Sequence, residues 1–234
     1  MDTHLQSVYL RELEKQCELA LGAYKQVVSV HLAYERAVEE YMKLRPYVPE
    51  SPLDVEQVYV VLALMDRQAN ARPKFVKDSK DYRQGLLRSV HSFLTHAGNV
   101  SKLLWPTNPR RERGESKEDY KTQCKETNDR GGHLRRELDI SEQHPLKDRT
   151  LRDHLEHFDE RLDTWSRTSR NHNIVELIGP ASAVAGARKS DVIAYNPATD
   201  VYFFRGDEFS VQTLVTAVEQ LLSKVKNTLE RDDH

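Results

Sequence analysis

Apolar residues recur every three or four positions over most of the chain, the period of an α-helix with one face buried. The first such stretch, 5–44, carries Leu5, Val8, Leu13, Cys17, Leu21, Tyr24, Val28, His31, Tyr34, Val38 and Tyr41. It predicts one long helix, or two stacked end to end. Gly22 is its only weak point, costing about 1 kcal/mol against alanine. The tyrosines suit a core whose hydroxyls reach its rim. His31 on this stripe reads as a packing residue. Pro46, Pro49 and Pro52 then mark a loop. A second helix is predicted over 53–70 with Val55, Val58, Leu62 and Met65 inward, a break at Pro73, and a third helix over 81–105. Leu86, Leu87, Val90, Phe93, Leu94, Ala97, Val100, Leu103 and Leu104 are its inward candidates. Pro106 and Pro109 end it, since proline offers no N–H to continue the ladder.

The periodicity fades over 107–132, where charged residues dominate and aliphatic ones are nearly absent. That stretch reads as a charged surface insertion, followed by a short helix over 133–138. The clearest helix comes next, at 148–165. Leu151, Leu155, Phe158, Leu162 and Trp165 fall within an arc of roughly 80° on a wheel of about 100° per residue. The 174–187 stretch is apolar but broken by Gly179, Pro180 and Gly186, and predicts a packed irregular segment or a short helix. The period then changes. Val192–Tyr195 and Val201–Phe204 predict a β-hairpin, with the appendage spanning 191–205. Arg205-Gly206-Asp207 reads as a turn, and Ser210 as the N-cap of a closing helix over 211–229. The sum is a mainly α chain: a bundle of four to six helices with one late β-hairpin, in a single helical domain over 1–234. A lone hairpin needs such a bundle beside it to be stable.

Composition narrows the function classes. In 234 residues, charged side chains make up 31% and the formal net charge is -2, so no whole-chain field draws nucleic acid or anionic lipid. The amino terminus lacks a basic and an apolar signal region, and no apolar run approaches the roughly 20 residues of a membrane span. Cys17 and Cys124 stand far apart without a CxxC pattern, which fits a reduced, cytoplasmic protein. No phosphate-loop or nucleophile-elbow motif is present.

One spacing carries candidate chemistry. Arg152 is followed by the polar Asp153 and then, five positions after the arginine, by His157. None of the three lies on the apolar stripe of its helix. Arg149/His154 and Arg167/His172 share the bare spacing but lack the polar second residue. Arg152, Asp153 and His157 resemble the motif of the HEPN superfamily, helical-bundle proteins of which many are metal-independent ribonucleases. The resemblance covers one helix and the all-helical setting. It implies a HEPN-like endoribonuclease of a bacterial toxin or phage-defence system. Arg152 would hold the scissile phosphate, His157 would serve as general base or acid, and Asp153 would orient the pair. It further implies RNA as substrate, a homodimer that brings two motif helices together, a protein inhibitor or partner, and neither metal nor cofactor.

The same residues also read as an ordinary salt-laced face. Arg152 has Glu156 four positions on, and Asp153 and Arg161 bracket His157. The alternative function is therefore a non-enzymatic helical interaction or scaffold protein. A metal site has little to stand on: His154 and His157 are three apart, but no Glu-x-x-His occurs anywhere in the chain.

Overall fold

The computed structural model describes residues 3–45, 54–148, 150, 158–169, 172–184 and 186–232. The chain is mainly α. Its described α-helices are α1 (Thr3–Lys43), α2 (Val55–Leu104), α3 (Lys117–Glu137), α4 (Phe158–Thr168) and α5 (Val211–Asp232). Four strands lie between α4 and α5: β1 (Val175–Ile178), β2 (Val192–Asn196), β3 (Val201–Phe204) and β4 (Asp207–Ser210). The described residues divide into two compact units, Lys25–Ser89 and Met1–Tyr24 with Val90–His234.

The Lys25–Ser89 unit pairs parts of α1 and α2 antiparallel. Val27, Val30, Tyr34, Ala37 and Tyr41 recur at three- and four-residue steps on α1, as do Ala71, Phe75, Asp78, Tyr82 and Gly85 on α2. That is the heptad spacing of a two-helix seam. Tyr34 stacks on Tyr82 with ring centroids 3.9 Å apart, and Tyr41 on Phe75 at 4.3 Å. His31 meets the Tyr82 hydroxyl through Nδ1 at 2.8 Å and Glu35 through Nε2 at 3.3 Å, as a packing histidine should. Burial, then the neighbouring Tyr34 and Glu35, push the Tyr82 phenol up to about 12.

Two expectations change here. The break at Pro73 does not occur, because α2 runs through it for 50 residues. An interior proline costs a helix about 3 kcal/mol, but seam residues on both sides of it, Ala71 and Phe75, hold the backbone in register. The inward stripe is also out of phase with the expected one. Val55, Val58, Leu62 and Met65 are exposed. The α2 seam follows Ala71, Phe75, Asp78 and Tyr82, a heptad stripe displaced from theirs by one residue. On α1 Leu13 and Cys17 are buried as expected, but Leu5, Val8 and Val28 are exposed and Leu10, Ala20 and Val27 are buried instead.

In the larger unit, the third-helix expectation holds: Val90, Phe93, Leu94, Ala97, Val100 and Leu104 are buried on α2. They pack in a core with Leu10 and Leu13 of α1, Leu134 and Leu138 of α3, and Val211, Val218, Leu221 and Val225 of α5. The expected surface insertion is largely helix. Ser116 caps α3, its Oγ accepting from the Asp119 N–H at 3.0 Å. Helix α3 then serves the end of α2. Arg130 Nη1 donates to the Leu103 carbonyl at 3.2 Å and Arg135 Nη1 donates to that of Leu104. These are the orphan acceptors of a helix C-terminus, and cations suit them.

The predicted hairpin is present as β2 and β3, with Ala194 opposite Phe203 and Tyr195 opposite Tyr202. It forms the centre of a four-stranded sheet in the order β1-β2-β3-β4. β1 pairs parallel to β2, so the 174–187 segment is a strand and a short 3-10 turn rather than irregular chain. β4 pairs antiparallel to β3 through a two-residue Arg205-Gly206 turn, with φ +51° and +114°. Both angles belong to the left-handed region that such tight turns require, and glycine takes it without strain. Both faces of β2 are covered, which explains its unbroken apolar run. Ser210 caps α5 as expected, its Oγ accepting from the Thr213 N–H at 3.2 Å.

Candidate functional site

Arg152, Asp153 and His157 lie outside the described residues, as do Arg149, His154 and Glu156. The chain on either side of them is described and tied down. At the near end, Asp148 Oδ1 accepts from the Thr150 N–H at 2.8 Å. This is the short-range carboxylate–amide bond that favours helix starts. At the far end, α4 is anchored by Trp165. Its Nε1–H donates to Asp191 Oδ1 at 2.8 Å, and Asp191 is buried. Ser190 Oγ gives the same carboxylate oxygen a second bond at 3.2 Å. His172 packs edge-on to Trp165 at 6.0 Å, and its Nε2 meets the Ser166 carbonyl oxygen at 2.9 Å.

Beside Asp148 opens a cleft of about 380 Å³. Its lining brings together Ser101 of α2, His144 and Asp148, Glu208 of β4, and Thr213 and Leu214 of α5. His144 is its chemical centre. Its ring stacks on Trp105 at 5.8 Å, and its Nδ1 accepts from the Leu146 N–H at 3.3 Å. Burial, and then the charge of Lys224, lower its pKa below the ordinary imidazole value. A neutral imidazole whose Nδ1 accepts carries its proton on Nε2. That nitrogen has no partner among the described residues. The buried Ser101 hydroxyl also lacks one among them. The arrangement offers an N–H donor and two carboxylates around an apolar floor, which suits a small molecule that both accepts and donates hydrogen bonds.

Sequence reasoning did not single out this cleft. His144, Ser101 and Glu208 sit in three distant stretches, and no local spacing joins them. A second groove of about 720 Å³ lies between the start of α1 and α3, lined by Tyr9, Arg130, His133 and Arg136 together with Glu126 and Asp129. Two of its three basic groups are engaged: Arg130 covers the Tyr9 ring at 4.7 Å, and His133 Nε2 meets Gln6 Oε1 at 2.8 Å. Its charges are mixed, as the sequence of this stretch indicated. No described helix is long and apolar enough to cross a membrane. No protein-family model, curated protein or solved structure matches the chain.

Proposed function

We propose that the protein is a HEPN-like, metal-independent endoribonuclease. The observation that carries the reading is the Arg152-Asp153…His157 motif in a mainly helical chain. The amphipathic helix α4 follows that motif directly, and its Trp165 lies on the stripe the sequence predicts. In the reaction, Arg152 holds the scissile phosphate and offsets the charge that grows on it. His157 takes the proton of the attacking 2′-hydroxyl or returns one to the leaving 5′-oxygen, work suited to a group that titrates near neutrality. Asp153 orients the pair. The products are a 2′,3′-cyclic phosphate and a free 5′-hydroxyl.

The test is cleavage of a mixed RNA pool in EDTA by the wild type and by His157→Ala, with equal helicity checked by circular dichroism. Cyclic-phosphate ends from the wild type, lost in the variant, are the expected result. Absence of cleavage by the wild type, or cleavage that survives in the variant, overturns the reading. A second reading, a non-enzymatic helical interaction protein, is favoured by one specific observation. Val55, Tyr59, Leu62 and Met65 stand on α2 with half or more of their surface exposed.

A further inference from the structure

The cleft beside Asp148 lies wholly within the larger unit and has a buried wall and an exposed rim. Ala97, Leu146 and Phe209 make the wall apolar, and all three are buried. Ser101 stands on the same wall, only 3% exposed, and its hydroxyl has no hydrogen-bond partner among the described residues. A buried hydroxyl left unpaired is unfavourable, and folded chains seldom keep one. At the rim, Asp148 and Glu208 are exposed carboxylates, and no lysine or arginine lines the cleft with them. Neither carboxylate has an ion-pair partner among the described residues. Neighbouring cations are committed elsewhere: Lys147 pairs with Glu142 at 2.8 Å, and Lys224 donates to the Asp139 carbonyl at 2.7 Å. His144 is half-buried between wall and rim, and its Nδ1 already accepts from the Leu146 N–H. As a neutral ring it offers the cleft an Nε2–H donor.

We propose that this cleft binds a small organic ammonium ion with an apolar body and a polar far end. The carboxylates of Asp148 and Glu208 hold the ammonium at the rim. The body lies along Leu146 and Phe209, and the far end meets the Ser101 hydroxyl and the His144 N–H. A hydroxyl suits that end, because it donates and accepts as Ser101 does. Charge selects the class: two carboxylates without a facing cation repel phosphates and carboxylic acids. His144, Asp148 and Glu208 do not gather into a metal-binding set among the described residues, so the cation selected is an organic one. The size agrees, since about 380 Å³ falls at the small end of the roughly 300–1,000 Å³ typical of metabolite pockets. The inference uses described side chains alone and does not rest on the ribonuclease reading.

The test is calorimetric titration of the full chain with tyramine, phenethylamine and octylamine, which is separate from RNA cleavage and can fail independently of it. Tyramine is expected to saturate one site with a Kd of roughly 1 mM or tighter, as its small size allows. Ethylphenol, which lacks the amine, and hydroxyphenylpropionate, which replaces it with a carboxylate, are expected to bind at least about tenfold more weakly. Asp148→Asn and Glu208→Gln keep the side-chain shapes, and Asn retains the Oδ1 that accepts from the Thr150 N–H. Each is expected to weaken tyramine binding about fivefold. Ser101→Ala is expected to weaken it by a similar factor while the protein stays at least as stable, because the variant removes an unpaired buried group. No saturable binding of any of the three amines up to about 10 mM overturns the proposal. Equal binding of hydroxyphenylpropionate overturns the charge selection. Tyramine binding untouched by Asp148→Asn with Glu208→Gln, or by Ser101→Ala, places the amine elsewhere and overturns it equally.

Discussion

Replacing Gly131 by alanine and replacing its neighbour Gly132 by alanine are expected to move stability in opposite directions. Both residues lie inside α3, and either change gains up to about 1 kcal/mol of helix propensity. Their surroundings differ. A Cβ at Gly132 meets only the flexible Arg135 Nη2, at 3.9 Å. A Cβ at Gly131 would stand 2.5 Å from Pro106 Cδ and 2.8 Å from the Leu104 carbonyl oxygen, a ring and a backbone atom that cannot swing aside. Forcing an atom into such a contact costs about 1–3 kcal/mol. Backing α3 away also lengthens the Arg130–Leu103 and Arg135–Leu104 bonds, charged-donor bonds of about 1.5–3 kcal/mol each. The net expectation is a loss of about 1–3 kcal/mol for Gly131→Ala and a gain of up to about 1 kcal/mol for Gly132→Ala. In a chain of this size that separates the two melting temperatures by roughly 5–15 °C. Both tryptophans, Trp105 and Trp165, lie in the larger unit, so their fluorescence during thermal or urea unfolding reports on that unit. A Gly131→Ala protein as stable as the wild type, or more stable than Gly132→Ala, would refute the close approach of α3 to the end of α2.

Two further predictions come from buried titratable groups. The folded pKa of His144 is lowered, chiefly by burial, below the unfolded value of about 6.5. Between those two values the unfolded chain binds more protons, so acidification from pH 7.5 towards 5.5 destabilises the wild type. Unfolding free energies measured across that range should fall less steeply for His144→Gln, and equal slopes would rule out a buried neutral imidazole. Cys17 is fully buried, and desolvation, followed by Glu18 and Glu14, raises its thiol pKa to about 12, whereas Cys124 is partly exposed. Mass spectrometry after N-ethylmaleimide should show one adduct on the native protein, at Cys124, and two in urea, and rapid native labelling of Cys17 would contradict its place in the core.

Helical periodicity located elements better than it located their faces. The heptad positions of the seam and the Val55–Met65 stripe lie one residue apart on α2, and both are apolar at their start. Spacing alone cannot choose between them, and the choice depends on which stripe α1 happens to meet. Pro73 misled for a related reason: its local cost is fixed, but the offsetting contacts of Phe75 with Tyr34 and Tyr41 come from residues more than thirty positions away. The Ser210 cap and the β2–β3 hairpin were legible because each is closed within a few residues. β1 was not, since parallel pairing with β2 spans the 179–191 connection and leaves no local alternation.

The charged 107–132 stretch shows where composition and structure part. Low aliphatic content argued for a solvated insertion, and most of its side chains are indeed exposed. Yet a helix needs only one contact line, and α3 makes its line with arginines as well as with Gly131 and Leu134. Arg130 and Arg135 reach carbonyls at the end of α2, while Arg130 also covers Tyr9 and Arg135 lies over Trp105. Their aliphatic stems pack and their heads supply donors that Pro106, lacking an N–H, cannot. The capping signal at Ser116 and Asp119 was present in the sequence; the acceptors that give the basic residues their use lay in another helix. The same separation governs the candidate sites. The Arg152…His157 spacing is legible because both residues stand five positions apart in one stretch of sequence, whereas the His144 cleft exists only where α2, the 143–148 segment, β4 and α5 converge.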